Sequence, residues 1–237
     1  MTSAVFLRTL DQRLSERLSL VLLAVLVVVP LGAATVTESL GLDELSIWLT
    51  VVMAGGAIGA DLSSGALALT LTRPIKRRDY VLSKWLAIFA GAAFLTLLQL
   101  GIETAVMALR YPHAFDLLSN NPLYAAFTRL ALCAGVAAVL VALSALTSGM
   151  NNVILWVLLF VFAQLVQSQG GNWHLPWLAR AGTELAGILV PRLNAVDVLR
   201  ASPPSWFAIS SYLSTVIFAL TAATVLMNRK EVSYASE

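Results

Sequence analysis

WLAIFAGAAFLTLLQLGIETAVMAL, from Trp85 to Leu109, runs for twenty-five residues with a single charge, Glu103. A helix that crosses a bilayer needs about 20 mostly apolar residues, so this stretch has the length and the dryness of a span. The chain just before it is the opposite. Arg73, Lys76, Arg77, Arg78 and Lys84 crowd into one short connection. Lys and Arg accumulate on the cytoplasmic side of membrane proteins, so the start of this run is expected there.

The same reading applied outward gives five more spans: Leu18 to Val36, Ile47 to Ala60, Leu130 to Thr147, Val153 to Val166 and Trp206 to Met227. The second is short and rich in glycine at its end (Gly55, Gly56, Gly59). Composition agrees. Of 237 residues 59% are hydrophobic and 12% charged, whereas a soluble domain carries about 25% charged residues. The net charge of +2 is small, and no nucleic-acid partner is expected. The single cysteine, Cys133, excludes an intrachain disulfide and reads as a small buried hydrophobe.

Placing the connections on alternate sides puts ten of the fifteen bases in the cytoplasm. Arg8, Arg13 and Arg17 precede the first span, and Arg229 and Lys230 follow the sixth, so both termini are expected inside. Residues 1–17 repeat Leu7, Leu10, Leu14 and Leu18 at helical spacing with polar residues between them, the pattern of an interfacial helix. The first apolar run, nineteen residues long, exceeds the 7–15 residues of a signal-peptide core and is read as a retained anchor. The outer segment 167–205 holds Trp173 and Trp177, side chains suited to a membrane surface, with Trp206 just beyond it. Within it Thr183 to Val190 is apolar but too short to span, which fits a re-entrant or interfacial helix ended by Pro191. The expectation is an all-α integral membrane protein: one transmembrane domain over residues 1–237 with six transmembrane helices.

The chain has no phosphate-binding glycine loop, no His-Glu-x-x-His pair and no Gly-x-Ser-x-Gly elbow. His113 and His174 stand alone beside prolines, as solvated or interfacial histidines do. No catalytic residue or metal site is expected. Glu103 is the polar exception. Gln99 lies one turn before it on the same helix face, and a carboxylate at bilayer depth must be paired, neutral or wet. The pair is therefore a candidate polar site on a translocation path, with structural satisfaction, near Arg110 or at the interface, as the alternative.

The connection from Asp61 to Lys84, DLSSGALALTLTRPIKRRDYVLSK, is the most specific stretch. Ser63 or Ser64 is placed to cap a short helix, Ala66 to Leu71 is apolar, and Pro74 ends it by removing a backbone donor. The segment resembles the cytoplasmic coupling connection of type-2 ABC-transporter permeases through Asp61, Gly65, Leu67, Leu71, Arg73, Pro74, Arg77 and Lys84. Asp61 stands where that family usually has Glu, and Ala66 and Ala68 where it has Thr and Glu.

That resemblance implies a permease subunit in a bacterial or archaeal plasma membrane, with the 61–84 coupling segment as the docking site of a separate ABC ATPase. ATP and Mg would be bound by that partner, with no cofactor in this chain. A second copy or a sister permease would complete the path, with membrane lipid and possible accessory subunits as further partners. The rival readings are an ATP-independent secondary transporter or channel working through Gln99 and Glu103, and an intramembrane enzyme.

Overall fold

The computed structural model of the chain describes residues 3–15, 21, 24, 25, 43–59, 61, 76–110, 121–147, 150–195, 198 and 205–229. These residues form seven principal helices: α1 (Ser3–Ser15), α2 (Asp43–Ala54), α3 (Arg77–Arg110), α4 (Pro122–Leu146), α5 (Asn151–Asn172), α6 (Pro176–Leu189) and α7 (Trp206–Arg229). No strand occurs among them. Four helices, α3, α4, α5 and α7, are long and apolar enough to cross a membrane. The first expected span lies almost wholly outside the described residues.

Burial identifies the centre. In α4 67% of the most apolar window is buried, against 17% in α5 and in α7. The reason is side-chain size. Cys133, Gly135, Ala137, Ala138 and Ala145 let neighbours approach the α4 backbone closely, and all are buried. α3 crosses α4 in the opposite direction, with Trp85 Nε1 donating to Ala134 O (3.0 Å) and Glu103 meeting Arg129 further along. α7 runs parallel to α4 and opposite to α3. Its end at Met227 and Asn228 meets Arg77 at the start of α3. One end of the bundle therefore gathers Arg77, Lys84 and the last turn of α7. The other gathers Arg110, Asn121 and the tryptophan-bearing turn after Asn172.

Helix limits differ from the sequence reading for identifiable reasons. α4 begins at Pro122, eight residues before the expected Leu130. Arg129 stopped the apolar run in the sequence, yet it is buried inside the helix because Glu103 neutralises it. α5 continues past Val166 to Asn172, so residues 167–172 belong to it and not to a connection. In α1 the buried face holds Val5 and Thr9 while Leu7 is exposed, and the helix packs on α3. Of the leucine repeat, Leu10 packs against the core while Leu7 faces outward.

The second expected span is broken. α2 ends at Ala54, and Gly55 to Ile58 form a turn with Gly56 at φ 65°, a conformation that favours glycine. Twelve residues make a helix of about 18 Å, short of the ~30 Å hydrocarbon core. The freed backbone groups are satisfied by neighbouring helices, as a low-dielectric interior requires. Asn152 Oδ1 accepts from Gly56 N (2.9 Å) while its Nδ2 donates to Ala54 O (3.1 Å). Ser144 Oγ accepts from Ile58 N and Gly59 N at 2.8 and 3.0 Å.

α5 and α6 pack against each other more extensively than any other pair of described helices. Gly170 and Gly182 make this possible: a Cβ on either would collide with the backbone of Ala179 or Gln167 respectively. The turn between the helices places His174 at φ 52°. α6 then runs back along α5 until Leu189 O accepts from Trp156 Nε1 (3.1 Å). From there the chain reverses. Pro191 lies against Gly135, and Ala195 N donates to Thr128 Oγ1 (3.1 Å), nearer the start of α4. Residues 176–195 thus enter as a helix and leave as irregular backbone. Pro191, Leu193 and Ala195 are buried on that return, and only protein-covered irregular backbone is tolerated at membrane depth.

Candidate functional site

Two polar centres lie in the bundle, one toward each end. The first joins the residue that enters the basic connection to the helix that leaves it. Asp61 Oδ2 accepts from Tyr80 OH (2.6 Å) and pairs with Lys84 Nζ (2.8 Å). The Lys84 side chain is 4% exposed and that of Asp61 12%. Tyr80 and Lys84 sit four residues apart on α3, on one face, so the aspartate receives both from a single helix. The Lys84 ammonium also lies 5.8 Å from the Tyr80 ring centroid.

Arg77 strengthens the same end. Its Nη1 donates to Met227 O and to Asn228 O, the latter at 3.0 Å. These are carbonyls of the final turn of α7, which lack helical partners of their own and carry the negative end of the helix dipole. Of the residues named from the sequence for docking, Asp61, Arg77 and Lys84 are therefore gathered at one end, Asp61 and Lys84 in direct contact. Gly65, Leu67, Leu71, Arg73 and Pro74 lie outside the described residues.

The second centre is Glu103. Its Oε2 pairs with Arg129 Nη2 (2.9 Å), and its Oε1 accepts from Gln99 Nε2 (2.8 Å). The Glu103 side chain is 2% exposed and that of Arg129 0%. Gln99 and Glu103 share a face, as their spacing implied, but the counter-charge comes from α4 and not from Arg110. Both carboxylate oxygens are thus engaged, one by a guanidinium and one by a carboxamide. The arrangement ties α3 to α4 across a small apolar cluster of Leu100 and Met107 with Ala125 and Ala126.

Sequence reasoning missed four residues here. Arg129 borders an apolar run, and nothing local signals its partner. Tyr80 was visible only as the residue four before Lys84. Asn152 and Ser144, which close the broken end of α2, look like ordinary helix-start and helix-end polar residues. Among the described residues no group of three or more His, Cys, Asp or Glu is placed to hold a metal ion.

Fold and composition define a helical membrane protein. No family model matches the chain, and a search of curated proteins finds no significant match.

Proposed function

We propose that the chain is the membrane-spanning permease subunit of an ABC transporter, coupled through residues 61–84 to a separate ATPase that binds ATP and Mg. The reading includes six spans with both termini in the cytoplasm of a bacterial or archaeal cell, and a second copy or a sister permease to complete the path. This chain supplies no catalysis; it supplies the route and the coupling. The observation that carries the proposal is the Asp61–Lys84 contact. Asp61 and Lys84, the two ends of the 61–84 stretch, meet in one buried ion pair, beside an arginine fixed to the last turn of α7. A segment clamped at its base can pass a push from a docked partner into α3 and α7 instead of absorbing it. The Gly65, Leu67, Leu71, Arg73, Pro74 pattern supplies the resemblance that names the partner.

A carrier working through Glu103 gains less support, because both carboxylate oxygens are occupied and the group is 2% exposed.

The test is coexpression with a Walker-type ATPase encoded beside the chain, followed by purification through a tag on the chain in mild detergent. The wild type is expected to retain the ATPase. Each buried leucine contributes about 1.5–3 kcal/mol to such a contact, so Leu67→Asp with Leu71→Asp should release it while membrane insertion persists. A double variant that keeps its ATPase and transports at the wild-type rate would end the proposal.

A further inference from the structure

A half-open cleft of about 510 Å³ lies between α5, the re-entrant helix α6 and α7. It sits toward the tryptophan end of the bundle, and its walls are unusual for a membrane flank. Gln164 and Gln167 come from α5, Glu184 from α6 and Arg192 from the irregular return after Pro191. None of these four side chains makes a hydrogen bond or ion pair among the described residues, and Gln164, Glu184 and Arg192 are exposed. Phe160 and Phe207 border them.

Polar and charged groups at the edge of the hydrocarbon are costly unless something satisfies them. The hydroxyls nearby need nothing, since Thr183 Oγ1 donates to Ala179 O and Thr215 Oγ1 to Ser211 O. The two carboxamides, the carboxylate and the guanidinium have no protein partner among the described residues and are open to a ligand from outside. Their charges cancel as a set, so the complementary ligand carries one positive and one negative group. Ile188 and Phe207 line the cleft and are exposed, apolar surfaces that suit acyl chains. Trp173, Trp177 and Trp206 mark the level where headgroups lie.

We propose that this cleft binds the headgroup of a zwitterionic phospholipid, with its ammonium at Glu184, its phosphate at Arg192 and the carboxamides bonding the remaining oxygens. The site lies at the opposite end of the bundle from Asp61 and Lys84. It requires no ATPase, so the fate of the coupling proposal leaves it untouched.

The test uses the full chain alone, reconstituted in bilayers of equal phosphatidylethanolamine and phosphatidylglycerol, re-extracted in mild detergent and weighed by native mass spectrometry. The wild type is expected to retain one phosphatidylethanolamine per chain. Loss of a charge-assisted contact should weaken retention about tenfold. Glu184→Gln should therefore erase the preference over phosphatidylglycerol, and Arg192→Gln should lower retention of both lipids. Lys76→Gln, at the other end, should change neither. Both cleft residues are exposed, so the helical content measured by circular dichroism should stay at the wild-type value. Equal lipid retention by all variants, a lipid-free wild type, or a lipid-free dimer that covers the cleft would each overturn the assignment.

Discussion

The Asp61–Lys84 and Glu103–Arg129 pairs have nearly the same geometry, 2.8 and 2.9 Å, yet they join different things. Glu103 and Arg129 connect the interiors of two long helices, with 2% and 0% side-chain exposure. Every route by which one partner could be replaced by water is closed. Asp61 and Lys84 connect the two ends of the 61–84 stretch, and the aspartate side chain keeps 12% exposure. The first pair holds the bundle together. The second fixes the two ends of the 61–84 stretch against each other. Identical chemistry is structural in one place and positional in the other because of what lies between the partners in sequence.

The contrast is sharpest in single-residue deletions. Arg129→Ala leaves Glu103 in a dry interior with only the Gln99 carboxamide as partner, and breaking such a pair costs about 3–5 kcal/mol. A large fall in the unfolding midpoint in detergent is expected, and replacing both partners with leucine should recover most of it. If Arg129→Ala unfolds at the wild-type midpoint, the tight burial of this pair is not what holds α3 to α4.

A smaller effect is expected at the break in α2. Asn152→Leu removes the acceptor for Gly56 N and the donor to Ala54 O. Each buried backbone group left unsatisfied costs about 1–3 kcal/mol. The loss should appear in the same unfolding assay, with hydrogen exchange rising at Gly56 and leaving the middle of α4 unchanged. Exchange that rises evenly through the bundle would mean that the break is not a local feature braced from α5.

How far these features were legible varies with the physics that sets them. α3 and α7 were readable because long apolar runs of the required length have few other uses. The break in α2 was half readable: the glycines at 55, 56 and 59 were plain, but a run of uncharged residues conceals whether it is one helix or a helix and a turn. The direction of the 176–195 segment depended on tertiary contacts, Trp156 with Leu189 and Gly135 with Pro191, which no local pattern encodes. Asp61 and Lys84 were singled out by their place in a motif, without any sign that they touch. Glu103 was singled out by depth, but its partner was hidden, since Arg129 breaks an apolar run and so looks like a boundary. Charge pairing across helices is a long-range property, and a reading based on runs treats each charge as an end.

Under the proposed function the Asp61–Lys84 pair couples as well as stabilises, and Asp61→Asn separates the two roles. In the chain assembled with its ATPase, the unfolding midpoint and transport-coupled ATP hydrolysis are read from one preparation. Asparagine keeps a hydrogen-bonding group beside the buried Lys84, so the loss of stability should be about 1–3 kcal/mol. Coupled hydrolysis should fall by about tenfold or more, a barrier change of at least ~1.4 kcal/mol, and Lys84→Met should match it. Hydrolysis and transport at wild-type rates in an Asp61→Asn chain with a lowered midpoint would contradict the account, because the pair would then be a staple like Glu103 and Arg129.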